Sequence, residues 1–192
     1  MSNIDVLPEL KQILGAMIFG ANRPLPAKKM RECLIEVGKA YADTAAFAEV
    51  KPADIERALE ALRDDLEKAK LGFHLGEVAG GYRLQSDVAC GRWLKQLLEM
   101  GNPNRLSRPA LETLSIIAYR QPISRADIEG IRGVAVDHVI RALMELHLIK
   151  IVGRSELPGR PFLYGTTQTF LEHFGLKDIK ELGEVDPMLM RK

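Results

Sequence analysis

Apolar residues repeat every three or four positions between residues 110 and 120, which predicts a helix with one broad buried face. The apolar positions are Leu111, Leu114, Ile116, Ile117, Ala118 and Tyr119. Pro122 ends this helix, because proline has no amide hydrogen to donate. Ser124 stands three residues before Asp127, a spacing typical of a capped helix start, and Gly133 then favours a helix end. The stretch therefore predicts two helices joined by a short turn.

The residues that follow add a third helix and a hairpin. Residues 136–148 carry another apolar stripe, at Val136, Val139, Ile140, Leu143, Met144 and Leu146. The alternation of Ile149 and Ile151 on one face of IKIVGR predicts a strand. A loop rich in proline and glycine follows at residues 155–161, and FLYGTT at 162–167 predicts a second strand. Three helices followed by a hairpin are the plan of a winged-helix domain.

The first half of the chain repeats this plan more weakly. An apolar helix around residues 10–19 precedes Pro24-Leu25-Pro26, and IERALEAL at 55–62 parallels VIRALMEL at 139–146 in its arginine, alanine and leucine positions. The segment FHLGEVAGGYRLQS predicts two strands that turn at Ala79-Gly80-Gly81. Because the order of elements also matches, the sequence predicts a mainly α protein with small β-hairpin wings (α+β), made of two tandem winged-helix domains.

The linkers suggest where the domains end. We expect an N-terminal domain at residues 1–100, a hinge at 101–107, a C-terminal domain at 108–182 and a flexible tail at 183–192, because GNPNRLS has the composition of a linker. Residues 38–52 lack a clean period and predict a loop or a helical extension.

A helix is expected at residues 88–100, where it would cap the first domain. Its apolar positions are Trp93, Leu94, Leu97 and Leu98. We expect the single tryptophan to be part of the core, because large aromatic side chains are highly buried on average.

Composition narrows the possible functions. The chain has 192 residues, with 27 basic against 26 acidic side chains and a net charge of +1. No apolar run approaches the ~18 residues of a membrane span. The N-terminus MSNIDVLPELK has no basic leader followed by an apolar block, so we expect a cytoplasmic protein without a membrane segment.

Motifs for catalysis and for metal binding are missing from the sequence. Cys33 and Cys90 lie far apart and the four histidines are scattered, so we expect buried or half-buried thiols and no metal site or disulfide. The sequence has no glycine-rich phosphate loop, no HExxH and no nucleophile elbow. We therefore expect no enzymatic activity, no cofactor and no small-molecule substrate.

Charge argues against the usual function of a winged helix, which is to bind DNA through its third helix. Both third helices, 51–70 and 136–148, carry acidic residues among their basic ones. One arginine set in the second half could form a modest basic patch: Arg120, Arg125, Arg132, Arg154 and Arg160. We interpret these arginines as solvated or paired with Glu129 and Asp127, although arginine also suits protein interfaces. DNA binding should be weak and non-specific at most.

Three segments closely resemble the ScpB family, segregation and condensation protein B: LSRPALETLSIIAYRQPISRADIEGIRGV, LPGRPFLYGTT and FLEHFGLKDIKEL. VAGGYRLQS is similar to that family too, so the resemblance spans residues 7–182. The chain departs from the family's usual pattern at residues 19–23 and in the longer segment 38–52.

The resemblance implies a non-catalytic subunit of the bacterial SMC–ScpA–ScpB condensin complex, which condenses and segregates the chromosome during cell division. It implies a homodimer formed mainly by the N-terminal domain, located in the cytoplasm at the nucleoid. The dimer would bind the kleisin ScpA and, through ScpA, the SMC subunit. The alternative is a transcriptional regulator that binds DNA with tandem winged helices.

Two sets of residues are the candidate binding sites. The apolar stripe of the first helix is wider than a small core requires, which favours a dimer contact at Val6, Leu10, Ile13 and Met17. In the second domain, the stretches most like the family combine arginine, aromatic side chains and proline, which suit interface anchors. The predicted kleisin-binding residues there are Arg120, Gln121, Ile123, Arg125, Arg160, Phe162 and Tyr164. The alternative for Tyr164 is a place in the core.

Overall fold

The computed structural model describes residues 7–99 and 106–183. The chain divides into two compact units, Met1–Gly101 and Asn102–Lys192. Most of the predicted hinge and tail, and the candidate dimer residue Val6, lie outside the described residues.

The first unit combines helices with one antiparallel hairpin. Its described elements are α1 (Leu10–Gly20), α2 (Ala27–Ala40), α3 (Pro52–Ala69), β1 (Phe73–Val78), β2 (Gly81–Ser86) and α4 (Gly91–Glu99), with 3₁₀ helices at Ala42–Glu49 and Val88–Cys90. Leu14, Met30 and Ile55, one from each of the first three helices, are fully buried in its core. The hairpin turns at Ala79 and Gly80, both with positive φ, while Gly81, the third predicted turn residue, begins β2.

The segment 38–52 is helical rather than a loop. Helix α2 runs to Ala40, and the 3₁₀ helix Ala42–Glu49 packs back against it. A Cβ on Gly38 would lie 2.5 Å from the backbone nitrogen of Ala48, so the close approach of the two helices requires glycine. A 3₁₀ helix repeats every three residues, which is why the segment shows no α-helical period.

The expectation that Trp93 belongs to the core is wrong. Helix α4 forms, but the Trp93 side chain is 73% exposed, and Leu97 and Leu98 are also exposed. An apolar stripe shows that one face of a helix is apolar, but it does not show that another element covers that face.

The second unit has the predicted order of helices and a hairpin, with one extra strand. Its described elements are α5 (Arg108–Arg120), β3 (Ile123–Ser124), α6 (Arg125–Arg132), α7 (Asp137–Glu145), β4 (Ile149–Arg154), β5 (Phe162–Thr166) and α8 (Gln168–Phe174), with a 3₁₀ helix at Ile179–Leu182. The strands form one antiparallel sheet in the order β3-β5-β4. The predicted α+β class is confirmed.

The two ends of α6 lie at the residues that the sequence predicts. The Ser124 hydroxyl accepts a hydrogen bond from the Asp127 amide at 3.3 Å, and Gly133 closes α6 in the left-handed conformation. Ser107 caps α5 in the same way, with a bond from the Ala110 amide.

The core of the second unit includes fewer apolar residues than the sequence pattern predicts. Its fully buried side chains include Ile117 from α5, Ile128 from α6 and Leu143 from α7. Several predicted core positions are instead exposed: Leu111, Tyr119, Leu146 and Ile151. On β4 only Ile149 is buried, so the rest of this strand extends beyond the core.

Candidate functional site

A groove of about 440 Å³ lies between helix α7 and the hairpin of the second unit. Four residues of α7 line it at the helical spacing of one stripe: Asp137, Ile140, Arg141 and Met144. Arg125, at the start of α6, and three residues of the hairpin side complete the lining: Pro161, Phe162 and Tyr164. The groove therefore combines an apolar surface with a few charged groups, the usual composition of a binding site.

One part of the groove is occupied by an ion pair between α6 and α7. The Arg125 guanidinium donates a hydrogen bond to the Asp137 carboxylate, although both side chains are more than half exposed. This bond raises the pKa of Arg125 above its usual value. The two charges are therefore already paired with each other before any partner binds.

The hairpin presents an aromatic ring that contacts a second arginine. The Arg154 guanidinium carbon lies 4.2 Å from the centroid of the Phe162 ring, a cation–π contact between paired residues of β4 and β5. Arg154 also donates to the backbone oxygen of Arg160 at 3.4 Å. Phe162 remains exposed, so its ring is an apolar surface that a partner can reach.

Only three of the seven predicted kleisin-binding residues come together in this groove: Arg125, Phe162 and Tyr164. Arg120 lies exposed at the end of α5, and Arg160 is exposed near a loop carboxylate, Glu156, at 3.9 Å. Neither lines the groove.

Gln121 and Ile123 make contacts inside the second unit and do not form an exposed contact surface. The Gln121 side chain accepts a hydrogen bond from the Thr166 amide at 2.7 Å and so joins the end of α5 to β5. Ile123 is buried in the core. Neither residue lines the groove.

Sequence reasoning missed the contribution of helix α7. The sequence pattern assigns Ile140 and Met144 only to an apolar stripe, and Arg141 only to the repeated octapeptide and to the mixed charge of the third helix. The signal that could have found this helix is the spacing of residues 137, 140, 141 and 144. This spacing places a carboxylate and a guanidinium beside apolar side chains on one helical face.

The predicted pairing with Glu129 and Asp127 is wrong for Arg125 and Arg132, whose ion-pair partners lie on other helices. Arg132 pairs with Glu112 at 3.0 Å and also donates to Thr113 and to the Pro109 carbonyl. Arg125 pairs with Asp137 instead of a neighbour on its own helix. Several of these guanidinium groups therefore stabilise the fold, and the five do not form one free basic patch.

We expect that replacing Arg132 with methionine lowers the free energy of unfolding by about 1–3 kcal/mol, because buried Thr113 loses its charged donor. The Arg132 side chain is only 13% exposed. Replacing the exposed Arg120 with methionine is the matched control and should change stability by less than about 0.5 kcal/mol. Chemical denaturation followed by circular dichroism measures both. Equal stability of the two variants would show that the Arg132 network does not stabilise the fold.

The candidate dimer residues of α1 contribute to their own core. Leu10, Ile13 and Met17 are half-buried and pack against the buried residues of the first unit. Among the large apolar residues of α1, Phe19 is the most exposed, at 82%. The apolar stripe is therefore shared between the core and the surface, and a part of it remains accessible.

The described residues 7–99 and 106–183 contain no cluster of three or more His, Cys, Asp or Glu side chains that could hold a metal ion. Within the same ranges, no helix has the length and apolar character needed to cross a membrane. Cys33 is exposed, contrary to expectation, and Cys90 is half-buried.

Comparison with known proteins identifies the family. A family model described as segregation and condensation complex subunit ScpB matches residues 12–185. The chain belongs to the ScpB family. The resemblance found in the sequence is thereby confirmed, and the ScpB match includes every residue that lines the groove.

Individual ScpB relatives match over most of the chain. Segregation and condensation protein B of Moorella thermoacetica is 47% identical over 173 residues, which cover 90% of this chain and 81% of the relative. The protein of the same name from Geobacillus thermodenitrificans is 44% identical over 166 residues, covering 84% and 79%. The crystal structure of ScpB from Mycobacterium tuberculosis is 31% identical, covers 89% of this chain and 99% of that chain, and superposes with a TM-score of 0.37.

Proposed function

We propose that this chain is a non-catalytic subunit of the bacterial SMC condensin complex. It would act as a dimer that binds the kleisin ScpA, and through it SMC, in chromosome condensation and segregation during cell division. Membership of the ScpB family supports the process. The observation that carries the binding role is the groove between α7 and the hairpin, where apolar and charged side chains meet on an exposed surface.

We also propose that each unit is a winged-helix domain. In each unit three helices precede an antiparallel hairpin: α1, α2 and α3 before β1–β2, and α5, α6 and α7 before β4–β5. We assign dimerisation to residues 1–100 and kleisin binding to residues 108–182, with 101–107 as the hinge.

The alternative, a DNA-binding regulator, has less support. Helix α7 carries Asp137 and Glu145 against the single arginine Arg141, so its net charge does not favour a phosphate backbone. We expect any DNA binding to be weak, steeply salt-dependent and independent of sequence. The proposed location of the chain is the cytoplasm, at the nucleoid, where its complex acts.

The direct test is to mix the purified chain with purified ScpA from the same cell and to measure molar mass by size-exclusion light scattering. We expect one peak that contains both proteins and is heavier than either alone. Separate peaks at micromolar concentrations would contradict the proposal. Sub-micromolar, sequence-selective binding of a DNA duplex at physiological salt would favour the regulator instead.

For the dimer, we expect the chain alone to have twice the 21.4 kDa mass of one protomer. A fragment of residues 102–192 should be monomeric, because the accessible apolar stripe of α1 belongs to the first unit. Light scattering measures both masses, and circular dichroism checks that the fragment is folded. A folded but dimeric fragment would move the dimer contact to the second unit.

A further inference from the structure

Arg141 is a cation of the groove whose side chain has no partner in the described part of the chain. It lies exposed on α7 and lines the groove, but it makes no ion pair or hydrogen bond with another described residue. Arg125, the other groove arginine, is paired with Asp137. The groove therefore contains one satisfied ion pair and one guanidinium that is available to a ligand.

The helix offers Arg141 two carboxylates at salt-bridge spacing, and neither is used. Asp137 lies four residues before Arg141 but pairs across to Arg125. Glu145 lies four residues after it and makes no ion pair with it. Because Asp137 is held by Arg125, the donors of Arg141 are not used by a carboxylate of the described residues.

The surroundings of Arg141 indicate the kind of ligand. Ile140 and Met144 flank it on α7, and Phe162 and Pro161 face the same groove from the hairpin. A guanidinium beside apolar side chains is complementary to a peptide that carries both a carboxylate and an apolar side chain. It matches a nucleic-acid backbone less well, because a phosphate chain has no apolar group to cover Met144 and Phe162.

We propose that the groove binds a segment of the kleisin in which a carboxylate pairs with Arg141 and a neighbouring apolar side chain packs on Met144 and Phe162. Arg141 is then the residue that selects an acidic partner at this position, while the Arg125–Asp137 pair holds the start of α6 against α7. This inference rests on the proposed function and adds the chemistry of the partner segment.

The test measures ScpA binding to the full chain by isothermal titration calorimetry. The variants are R141E, which reverses the charge, and R141M, which removes it and keeps most of the apolar stem. R108E is the matched control, because the Arg108 side chain is 90% exposed, lies outside the groove and is not one of the predicted kleisin-binding residues. Circular dichroism melts check that each variant folds. We expect R141M to weaken binding about tenfold and R141E by more, with R108E close to the wild type.

The outcomes separate the two proposals. Binding of wild type, R141E and R108E with equal affinity would overturn the role of Arg141 and leave ScpA binding intact. Equal loss in R141E and R108E would also overturn it, because general charge rather than this groove would then decide affinity. If the wild type fails to bind ScpA, both proposals fall.

Two further experiments identify the anionic group that pairs with Arg141. Replacing single acidic residues of ScpA with lysine should find one position that restores binding to R141E, which supports a carboxylate partner. Titration of a 20-base-pair DNA duplex should give weak binding in every variant. If R141E instead abolishes tight duplex binding and leaves ScpA binding unchanged, Arg141 contacts phosphate and the proposal is overturned.

Discussion

Replacing Leu143 with alanine is expected to lower the free energy of unfolding by about 2–5 kcal/mol. Leu143 is fully buried on the face of α7 that packs into the core of the second unit. The substitution removes this packing and leaves a cavity under the helix that lines the groove. Urea denaturation followed by circular dichroism gives the change in stability.

The matched control for this prediction is the same substitution at Leu146, directly after α7. Leu146 is 51% exposed, so its truncation should cost less than about 0.5 kcal/mol. Equal costs at the two positions would mean that α7 is not packed into the core as described. Because the helix also carries Arg141, the destabilised variant should lose ScpA affinity at temperatures near its melting point.

Replacing Phe162 with alanine is expected to weaken ScpA binding about 30-fold or more. An exposed aromatic ring at the wall of a groove is typical of an interface anchor, for which truncation commonly costs ~2 kcal/mol. Its contact with Arg154 favours one position of the ring before binding, which lowers the conformational entropy lost in the complex. Calorimetric titration of ScpA into the full chain gives the dissociation constant.

Leu157→Ala is the control for the Phe162 variant. Leu157 is an exposed apolar residue of the loop between β4 and β5 but does not line the groove. We expect it to bind ScpA like the wild type. Similar losses for both variants would show that the whole hairpin, rather than the groove, forms the contact. A normal affinity for a folded F162A variant would remove Phe162 from the interface.

The elements whose signals are local could be predicted from the sequence. Ser124 and Gly133 define the two ends of α6 within ten residues, and Ala79-Gly80 specify a two-residue hairpin turn. Each of these signals depends only on backbone conformation and on hydrogen bonds between near neighbours. They therefore act in the same way wherever the element lies in the fold.

The features that depend on long-range contacts could not be predicted. Arg132 pairs with Glu112, twenty positions earlier, while the expected partners lay on its own helix. The exposure of Trp93 depends on which element covers α4, and the periodicity of α4 does not contain that information. Strand β3 is two residues long and forms only because β5 lies beside it.

The candidate groove could be predicted only in part from the sequence. The stripe at 137, 140, 141 and 144 is present in the sequence, but its role depends on the neighbouring hairpin and on the pairing of Asp137 with Arg125. Sequence reasoning found the hairpin residues Phe162 and Tyr164 through the family resemblance and missed the helix opposite them. A helical face with both a charge and apolar groups is a signal for an interface only when its neighbours leave it exposed.

The most direct test of the proposed kleisin contact is hydrogen–deuterium exchange of the chain, alone and with saturating ScpA. We expect slower exchange on binding in α7 and in the hairpin formed by β4 and β5. The segment 108–116 of α5 lies outside the groove and should be unchanged. Protection confined to residues 7–99, with unchanged exchange in α7 and the hairpin, would contradict the proposal that this groove holds the kleisin.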